Sequence, residues 1–373
     1  MSSQPRLLQV LYSYEIGGSE IVGLELARQM TVTGAKVMCA ALKPGDGPLR
    51  AKCLEYGVEP LELKIREQSY FGRNGCSLEL VRWVKKLGLS GIHLHHFLGL
   101  HRLGLPARLA GVPHIVMTEH SIASLQASAY ARLRARVGWR LAHHITAVSD
   151  NIRDYLVGEL GVSPAHISVI QNGIEFSQWH RADREQRRRE LGIDRQFMFA
   201  FVGRLADVKN IPGLLRAFLR MQSERKDLDC GLLIIGDGVD MAECRAIVAQ
   251  HPQGGRVQLL GERADARAPL AASDAFVMNS LSEGSPRAMI EAMAIGLPCV
   301  CPAVGGVPAL LQGRGWLTKP QDETDMARAL AEVAADPVNA MRVGALGQAH
   351  VLERFDARHS LARYLKLFGL AAP

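Results

Sequence analysis

Residues Asn279–Leu311 read NSLSEGSPRAMIEAMAIGLPCVCPAVGGVPALL. This stretch joins a loop carboxylate, a helix, a short apolar strand and a second glycine turn. Pro286 suits the first turn of a helix, where its missing N–H has no partner to lose, and Gly296 with Pro298 ends that helix. A helix is therefore expected over Pro286–Ala294. Glu283 and Glu291, separated by seven residues, then fall in the loop before the helix and about two turns inside it. Gly284, Ser285 and Pro286 lie between them. The helix N-terminus offers free N–H groups and the positive dipole end to an anionic ligand. Taken alone, the two glutamates read more plainly as a charge complementing the dipole and a solvated helix residue.

Upstream, Ala275–Asn279 is a strand feeding this unit. Phe197–Val202 (FMFAFV) is another, leading into Gly203-Arg204-Leu205-Ala206-Asp207-Val208-Lys209-Asn210. A strand, a glycine, then Arg204 and Lys209 make a sensible diphosphate clamp, because Arg supplies a planar fork and Lys a point charge. Without context they are two surface cations. Gly231–Ile235 is a strand ending at Gly236-Asp237-Gly238, and Val257–Leu260 with Gly261 repeats the theme. Met326–Ala334, Asn339–Arg354 and Ala357–Leu370 read as helices.

The first half has the same alternation. Arg6–Tyr12 reads as a buried strand, Gly17-Gly18 as the turn after it, Ile21–Met30 as a helix and Lys36–Leu42 as the next strand. A glycine turn at a helix start brings N–H groups close to a phosphate, although it is also an ordinary strand-to-helix turn. Residues 45–75 carry little signal. Leu78–Leu87 reads as a helix and Gly91–Phe97 as a strand entering a histidine-rich loop. Alternation sends His93 and His95 to one face and His96 to the other. No carboxylate or cysteine is placed locally in the sequence to complete a metal site, so no metal is expected. Pro113–Glu119 is a strand ending at His120, at the carboxyl end where α/β sheets bind ligands. A satisfied histidine capping the sheet is the plainer alternative. Ser149-Asp150 reads as an N-cap, and Ile167–Ile170 as a strand before the Gln171-Asn172-Gly173-Ile174 turn. The charged segment near Arg181–Arg189 reads as a linker.

A chain of 373 residues with 48% hydrophobic and 22% charged residues fits two or three domains of a globular soluble protein and is ample for two separate cores. No secretory leader and no apolar run of membrane-spanning length are expected. Seven cysteines without framework spacing point to reduced, mostly buried thiols in a cytoplasm. The net charge of +7 is compatible with an anionic surface, and no nucleic-acid motif accompanies it. Between residues 101 and 145, six arginines face one glutamate. Such a run is usually a solvated helix face; it is also what anionic lipid headgroups attract.

The long pattern Glu-Gly-x-Pro, Glu-Ala-Met-Ala-x-Gly-x-Pro, strand, Gly-Gly-Val-Pro at 283–308 resembles the donor-site signature of the retaining glycosyltransferases of family 4. The Gly-Arg…Lys element at 203–209 and the opening GGSEIVGLELARQM at 17–30 resemble the same family. The resemblance implies an α/β GT-B fold of two doubly wound Rossmann-like domains facing a cleft. Residues 1–175 would form the acceptor domain, 176–355 the nucleotide-sugar domain, and 356–373 a C-terminal helix crossing back to the first domain. It implies transfer of a sugar from a nucleotide-diphosphate donor, UDP- or GDP-linked, to a glycan or lipid-linked acceptor, with no metal or other cofactor. The setting implied is bacterial cell-surface polysaccharide or lipopolysaccharide synthesis, in the cytoplasm or peripherally on the inner membrane face.

Residue by residue, the resemblance places His120 against the donor sugar and the reacting centre, and Arg204 and Lys209 on the diphosphate. Glu283 would bind the donor sugar hydroxyls and Glu291 the ribose. The N–H groups of Gly306 and Val307 would join the diphosphate site, with Ser285 and Pro286 beside it. Gly17 and Gly18 would face the diphosphate and acceptor, and Gly203 and Gly236 would border the nucleotide. Two positions depart from the family pattern: Ala309 stands where an acidic residue is usual, and Asn279-Ser280 where Pro-Ser is common. A nucleotide-sugar epimerase, a longer glycogen- or sucrose-type synthase, and a non-catalytic nucleotide-binding protein on the same scaffold remain as alternatives.

Overall fold

Near-continuous apolar runs of strand length need cover on both faces, and a chain of such runs separated by helices makes parallel sheets with crossover helices. The computed structural model describes residues 4–43, 45–63, 78–176, 184–263 and 265–371. All strand pairings in its two sheets are parallel. The chain divides into two compact units, one of Met1–Gly173 with Ala357–Pro373, the other of Ile174–Asp356.

The first unit runs β1 (Arg6–Leu11), α1 (Gly18–Thr31), β2 (Lys36–Ala41), α2 (Pro48–Glu55), β3 (Glu59–Leu61), α3 (Leu78–Leu87), β4 (Gly91–His95), α4 (His96–Leu109), β5 (His114–Glu119), α5 (Ala123–Ala127), α6 (Ala129–Gly138), β6 (His144–Ala147), α7 (Asp150–Leu160) and β7 (Ile167–Val169). Its sheet order is β3-β2-β1-β4-β5-β6-β7. The winding direction therefore reverses between β1 and β4. Alternation along β1 splits the core: Leu8 and Val10 join one apolar cluster, Leu7 and Leu11 the other.

The second unit runs α8 (Arg184–Glu190), β8 (Phe197–Val202), α9 (Ile211–Glu224), β9 (Cys230–Ile235), α10 (Met241–Gln250), β10 (Val257–Gly261), α11 (Arg267–Ala272), β11 (Ala275–Val277), α12 (Arg287–Ala294), β12 (Cys299–Pro302), α13 (Val307–Leu311), β13 (Trp316–Thr318), α14 (Glu323–Ala335) and α15 (Pro337–Arg354). Its sheet order is β10-β9-β8-β11-β12-β13, with the reversal between β8 and β11. Phe197, Phe199 and Phe201 fill one face, and Met198 and Ala200 the other.

The last helix, α16 (Ala357–Leu367), belongs to the first unit. Its buried Leu361, Tyr364 and Leu365 pack with Leu7, Leu11 and Leu24. Most expected strands and helices stand within a residue or two of their positions, and several details differ. Residues 45–75 are not featureless, since α2 and β3 lie within them; Cys76 and Arg181–Ala182 fall outside the described residues. The segment after 183 is no linker: α8 packs Arg188 against Asp274 at 3.1 Å. The helix after Gly17 begins at Gly18, three residues earlier than its apolar spacing indicates. The expected histidine-rich loop is absent. The chain enters α4 directly at His96, whose φ of 72° makes the turn in one residue. The six described cysteines are buried free thiols.

Because α16 closes the first unit, Leu365→Ala should destabilise that unit by about 2–5 kcal/mol. Faster amide exchange in β1 and β4 with unchanged exchange in β8 and β9 is the expected outcome; faster exchange in β8 and β9 would contradict it.

Candidate active site

Ligands of doubly wound sheets bind where neighbouring strands send their connections in opposite directions. In the second unit those connections are Gly203–Asn210 after β8 and Met278–Pro286 after β11. Leu281 N donates to Val208 O at 2.8 Å, which ties the two loops together. Lys209 Nζ and Glu283 Oε1 meet at 2.5 Å, and the Glu283 side chain is only 9% exposed. Arg204 is exposed and makes no hydrogen bond or ion pair with a described residue. Two cations and a carboxylate thus sit at the reversal, one cation engaged and one open.

Glycines allow the loops to come this close. A Cβ at Gly305, where φ is +52°, would lie 1.7 Å from Glu283 O. One at Gly236, where φ is +139°, would lie 1.9 Å from Gly203 O. Only glycine tolerates both the backbone conformation and the approach.

The helix after Glu283 starts one residue late. Pro286 is its cap, with φ −70° and ψ 98°, and Arg287 its first residue, so Glu291 lies one turn inside, not two. Glu291 is 8% exposed and is no solvated residue. Arg287 Nε holds its Oε1 at 2.6 Å. Arg287 was missed in the sequence, although its i,i+4 spacing from Glu291 marks a helical ion pair. Ser285 Oγ is buried without a partner, as is Arg287 Nη1. The expected donors at Gly306 and Val307 are not free: Gly306 N donates to Glu283 O at 3.1 Å and Val307 N to Val304 O at 3.0 Å. The Gly-Gly turn spends these N–H groups on holding Glu283 and on its own closure.

In the first unit the reversal falls between the loop after β1 and the start of α4. Gly17 is extended and caps α1. A Cβ on Gly17 would meet Glu20 Oε2 at 2.2 Å, so the α1 N-terminus already has a carboxylate folded beside it. The turn is therefore not the plain anion site that two glycines indicate, and Glu20 was missed.

His120, 9% exposed, follows β5. Its Nε2 lies 2.9 Å from His95 Nδ1, and His95 Nε2 lies 3.0 Å from Gln9 Oε1. His93 Nε2 lies 2.6 Å from Thr118 Oγ1, which is 3.1 Å from Tyr364 Oη of α16. A carboxylate does stand beside the histidines: Glu119 Oε1 is 2.9 Å from His96 Nδ1. Glu119 also accepts from the N–H groups of Phe97, His120 and Ser121. Sequence distance hid this contact, because strand pairing supplies it.

Burial, then neighbouring His120, lowers the His93 pKa to about 3. Burial first, and then the other histidines, holds His95 and His120 well below the ordinary range. His96 is different. Burial lowers it, but the Glu119 hydrogen bond and the charges of Glu119 and Glu20 outweigh burial and leave it raised. Both His95 ring nitrogens and one nitrogen each of His93, His96 and His120 have side-chain partners, and no group of three or more metal-ligating side chains occurs among the described residues.

The expected basic face is mostly structural. Arg102 is buried in α4. Arg108 donates to Leu141 O at 2.9 Å, Arg132 to Gln126 O at 2.6 Å and Arg136 to Glu159 O at 2.8 Å. Tyr130, Leu133 and Val137 of α6 are 58%, 61% and 68% exposed, an apolar stripe among these arginines. No helix among the described residues is long and apolar enough to cross a membrane.

A family model described as Glycosyltransferase Family 4 matches residues 16–178, and one described as Glycosyl transferases group 1 matches residues 196–336. The UDP-Gal:alpha-D-GlcNAc-diphosphoundecaprenol alpha-1,3-galactosyltransferase of Escherichia coli is 30% identical over 70% of each chain. The N-acetyl-alpha-D-glucosaminyl L-malate synthase of Bacillus anthracis is 24% identical over 95% of this chain and 94% of its own. Among solved structures, Anabaena Alr3699/HepE in complex with UDP-glucose superposes with a TM-score of 0.84 at 20% identity, covering 97% of this chain and 99% of that one. Lipopolysaccharide outer core galactosyltransferase WaaB gives a TM-score of 0.70 at 18% identity, covering 98% and 99%. The likenesses to solved structures show the fold, the two Rossmann-like domains of GT-B proteins.

The histidine environments set a pH dependence. His93, His95 and His120 have lowered pKa values, so the stability they contribute is present above the unfolded value of about 6.5 and falls as pH drops below it. His96 has the opposite sign: its contribution is complete below about 6.5 and is lost as pH rises through its raised value. His96→Gln should therefore steepen the acid loss of stability and converge with the parent at alkaline pH. Urea midpoints across the pH range check this; parallel curves would contradict it.

Proposed function

Because the chain belongs to glycosyltransferase family 4, within the glycosyl transferases group 1, we propose that it moves a sugar from a nucleotide-diphosphate donor to a glycan or lipid-linked acceptor, with retention of anomeric configuration. It is a transferase of the EC 2.4 class. The observation that carries the donor reading is the Lys209–Glu283 pair at the strand reversal of the second sheet, with Arg204 open beside it.

Arg204 and Lys209 hold the diphosphate and stabilise the charge that develops on it as the glycosidic bond breaks. Preorganised charge of this kind is usually the largest catalytic contribution. Glu283 accepts hydrogen bonds from the donor sugar, and its position is fixed through its backbone carbonyl by Gly306. Glu291 binds the ribose diol, oriented by Arg287. Ser285 Oγ, buried without a partner, is available to the ligand next to Pro286. Gly203 and Gly236 let the nucleotide approach the backbone. In the first unit His120 faces the sugar and the reacting centre, with Gly17 and Gly18 on the acceptor side. The chain's own residues supply this chemistry without a metal.

The E. coli relative is named for UDP-Gal and a diphosphoundecaprenol acceptor, and the Anabaena structure for UDP-glucose. These names support a UDP-linked donor ahead of a GDP-linked one, and a lipid-linked acceptor in bacterial surface glycan assembly. The exposed Tyr130, Leu133 and Val137 among arginines support a peripheral seat on an anionic inner membrane face.

A thermal-shift series with UDP, GDP and ADP tests the donor class. A ligand that binds only the folded protein stabilises it by about 2.7 kcal/mol at a hundred times its Kd. A shift with UDP that Arg204→Ala abolishes is expected. Glu283→Ala and Arg204→Ala should each lower transfer by about 10²-fold or more; full transfer in both would overturn the assignment. For the membrane seat, flotation with phosphatidylglycerol vesicles should recover the parent protein and lose Leu133→Glu. Equal flotation of both, or of neither, would refute it.

A further inference from the structure

Gln9 is a fully buried polar side chain in the middle of β1, with no catalytic assignment of its own. It points to the face of the sheet that carries α1. There its Nε2 donates to Met30 Sδ at 3.2 Å and its Oε1 lies 3.0 Å from His95 Nε2. His95 in turn lies 2.9 Å from His120. The three residues stand on β1, on β4 and directly after β5, which are adjacent in the sheet. Their side chains form one continuous chain of hydrogen bonds ending at the ligand side of the strand ends.

The direction of every bond in this chain follows from one fact. A thioether sulfur has lone pairs and no proton to give, so the Gln9 amide nitrogen faces Met30. The oxygen must then face His95, and an amide oxygen only accepts. His95 Nε2 therefore carries the proton. A neutral imidazole has one N–H, so His95 Nδ1 is bare and accepts from His120 Nε2–H. His120 Nδ1 is left without a proton. It has no hydrogen bond with a described residue and is not among the buried unpartnered atoms. His93 Nδ1, on the same sheet face, is buried and unpartnered. Helix α1 packs closely on this ring: a Cβ on Gly23 would lie 2.9 Å from His95 Nε2.

We propose that Gln9, acting through His95, is a positioning residue that fixes His120 with its proton on Nε2 and a bare Nδ1, so that His120 accepts a hydrogen bond from a sugar hydroxyl and does not donate to a phosphate oxygen. This rests on the placement of His120 in the active site. The relay converts the identity of a residue in the sheet interior into the donor–acceptor character of a ring at the site. Gln9 reversed, or replaced by a donor, would switch His120 Nδ1 to an N–H and invert what the ring recognises. Burial keeps both rings neutral, so the pattern is not overwritten by protonation near neutral pH.

Ring-nitrogen NMR of the intact, 15N-histidine-labelled protein reads the tautomers directly, with His120→Gln identifying the His120 signals. The expected spectrum has protonated Nε2 and bare Nδ1 on both His95 and His120. Gln9→Leu should give His120 a mixed or reversed pattern, and Gln9→Glu should reverse it, because a carboxylate on the His95 ring favours an imidazolium whose Nδ1–H donates to His120. A parent protein with the proton on His120 Nδ1, or a folded Gln9→Leu protein with an unchanged pattern, would overturn the relay. Should Gln9→Leu not fold, the parent and Gln9→Glu spectra decide it. With UDP-glucose as probe, kcat should fall roughly tenfold in Gln9→Leu, about the worth of one hydrogen bond, with KM little changed and no rescue by Gln9→Glu. A kcat loss in His120→Gln without any in Gln9→Leu would overturn the relay alone. Undiminished transfer by His120→Gln with the expected spectrum would overturn the active-site placement and leave the tautomer assignment standing.

Discussion

The reversal of winding direction within each parallel sheet is the constraint on which the rest of this structure depends. A parallel pair needs a crossover, and crossovers of one hand put successive strands on one side of the first. When the chain returns to the other side, two adjacent strands send their connections apart and leave a gap at their carboxyl ends. The gap lies beside β1 and β4 in one sheet and beside β8 and β11 in the other. Gly17, His95 and His96 border the first; Gly203, Arg204, Lys209 and Glu283 border the second. Side chains that lie tens of residues apart in sequence, such as Lys209 and Glu283, come together through strand order.

Backbone proximity then sets which residues can line these gaps. The loops after β8 and β11 share a main-chain hydrogen bond from Leu281 to Val208, and the loop after β12 presses Gly305 onto the carbonyl of Glu283. Side chains at these points would hold the loops apart and would separate Lys209 from Glu283. The Gly-Gly turn therefore acts as a support for the carboxylate. Its N–H groups satisfy carbonyls that would otherwise be stranded in a partly buried loop.

Much of this was legible in the sequence because two-sided burial writes itself as apolar runs: Phe197–Val202 and Gly231–Ile235 could hardly be anything but central strands. The motif spacing around Glu283 and Arg204 was legible for the same reason, since loops at strand ends are short and punctuated by glycine. Three kinds of feature were not. Short peripheral elements such as α2 and β3 carry few core residues and little periodicity. Contacts made by sheet pairing, such as Glu119 with His96 or Gln9 with His95, have no local spacing to betray them. Conformations carried by a single residue, such as His96 at positive φ, replace a loop that the histidine-rich sequence indicated. Arg287 is the exception: its helical spacing from Glu291 was visible, and only the extent of Glu291 burial gave that spacing its meaning.

The histidines at the end of the first sheet show why residue type alone could not settle their roles. His96 and His120 have ring centroids 5.2 Å apart, yet their environments push them in opposite directions. Glu119 makes the difference. Its carboxylate touches the His96 ring but only the backbone N–H of His120. One side chain therefore receives a counter-charge, while its neighbour receives a fixed backbone and a neutral partner. Moving Glu119 onto the His120 ring would favour the imidazolium there and turn an acceptor into a donor of charge. The separation of a charged pair from a neutral chain within a few ångströms is thus a consequence of which atom Glu119 reaches, and β5 sets that by ending where it does.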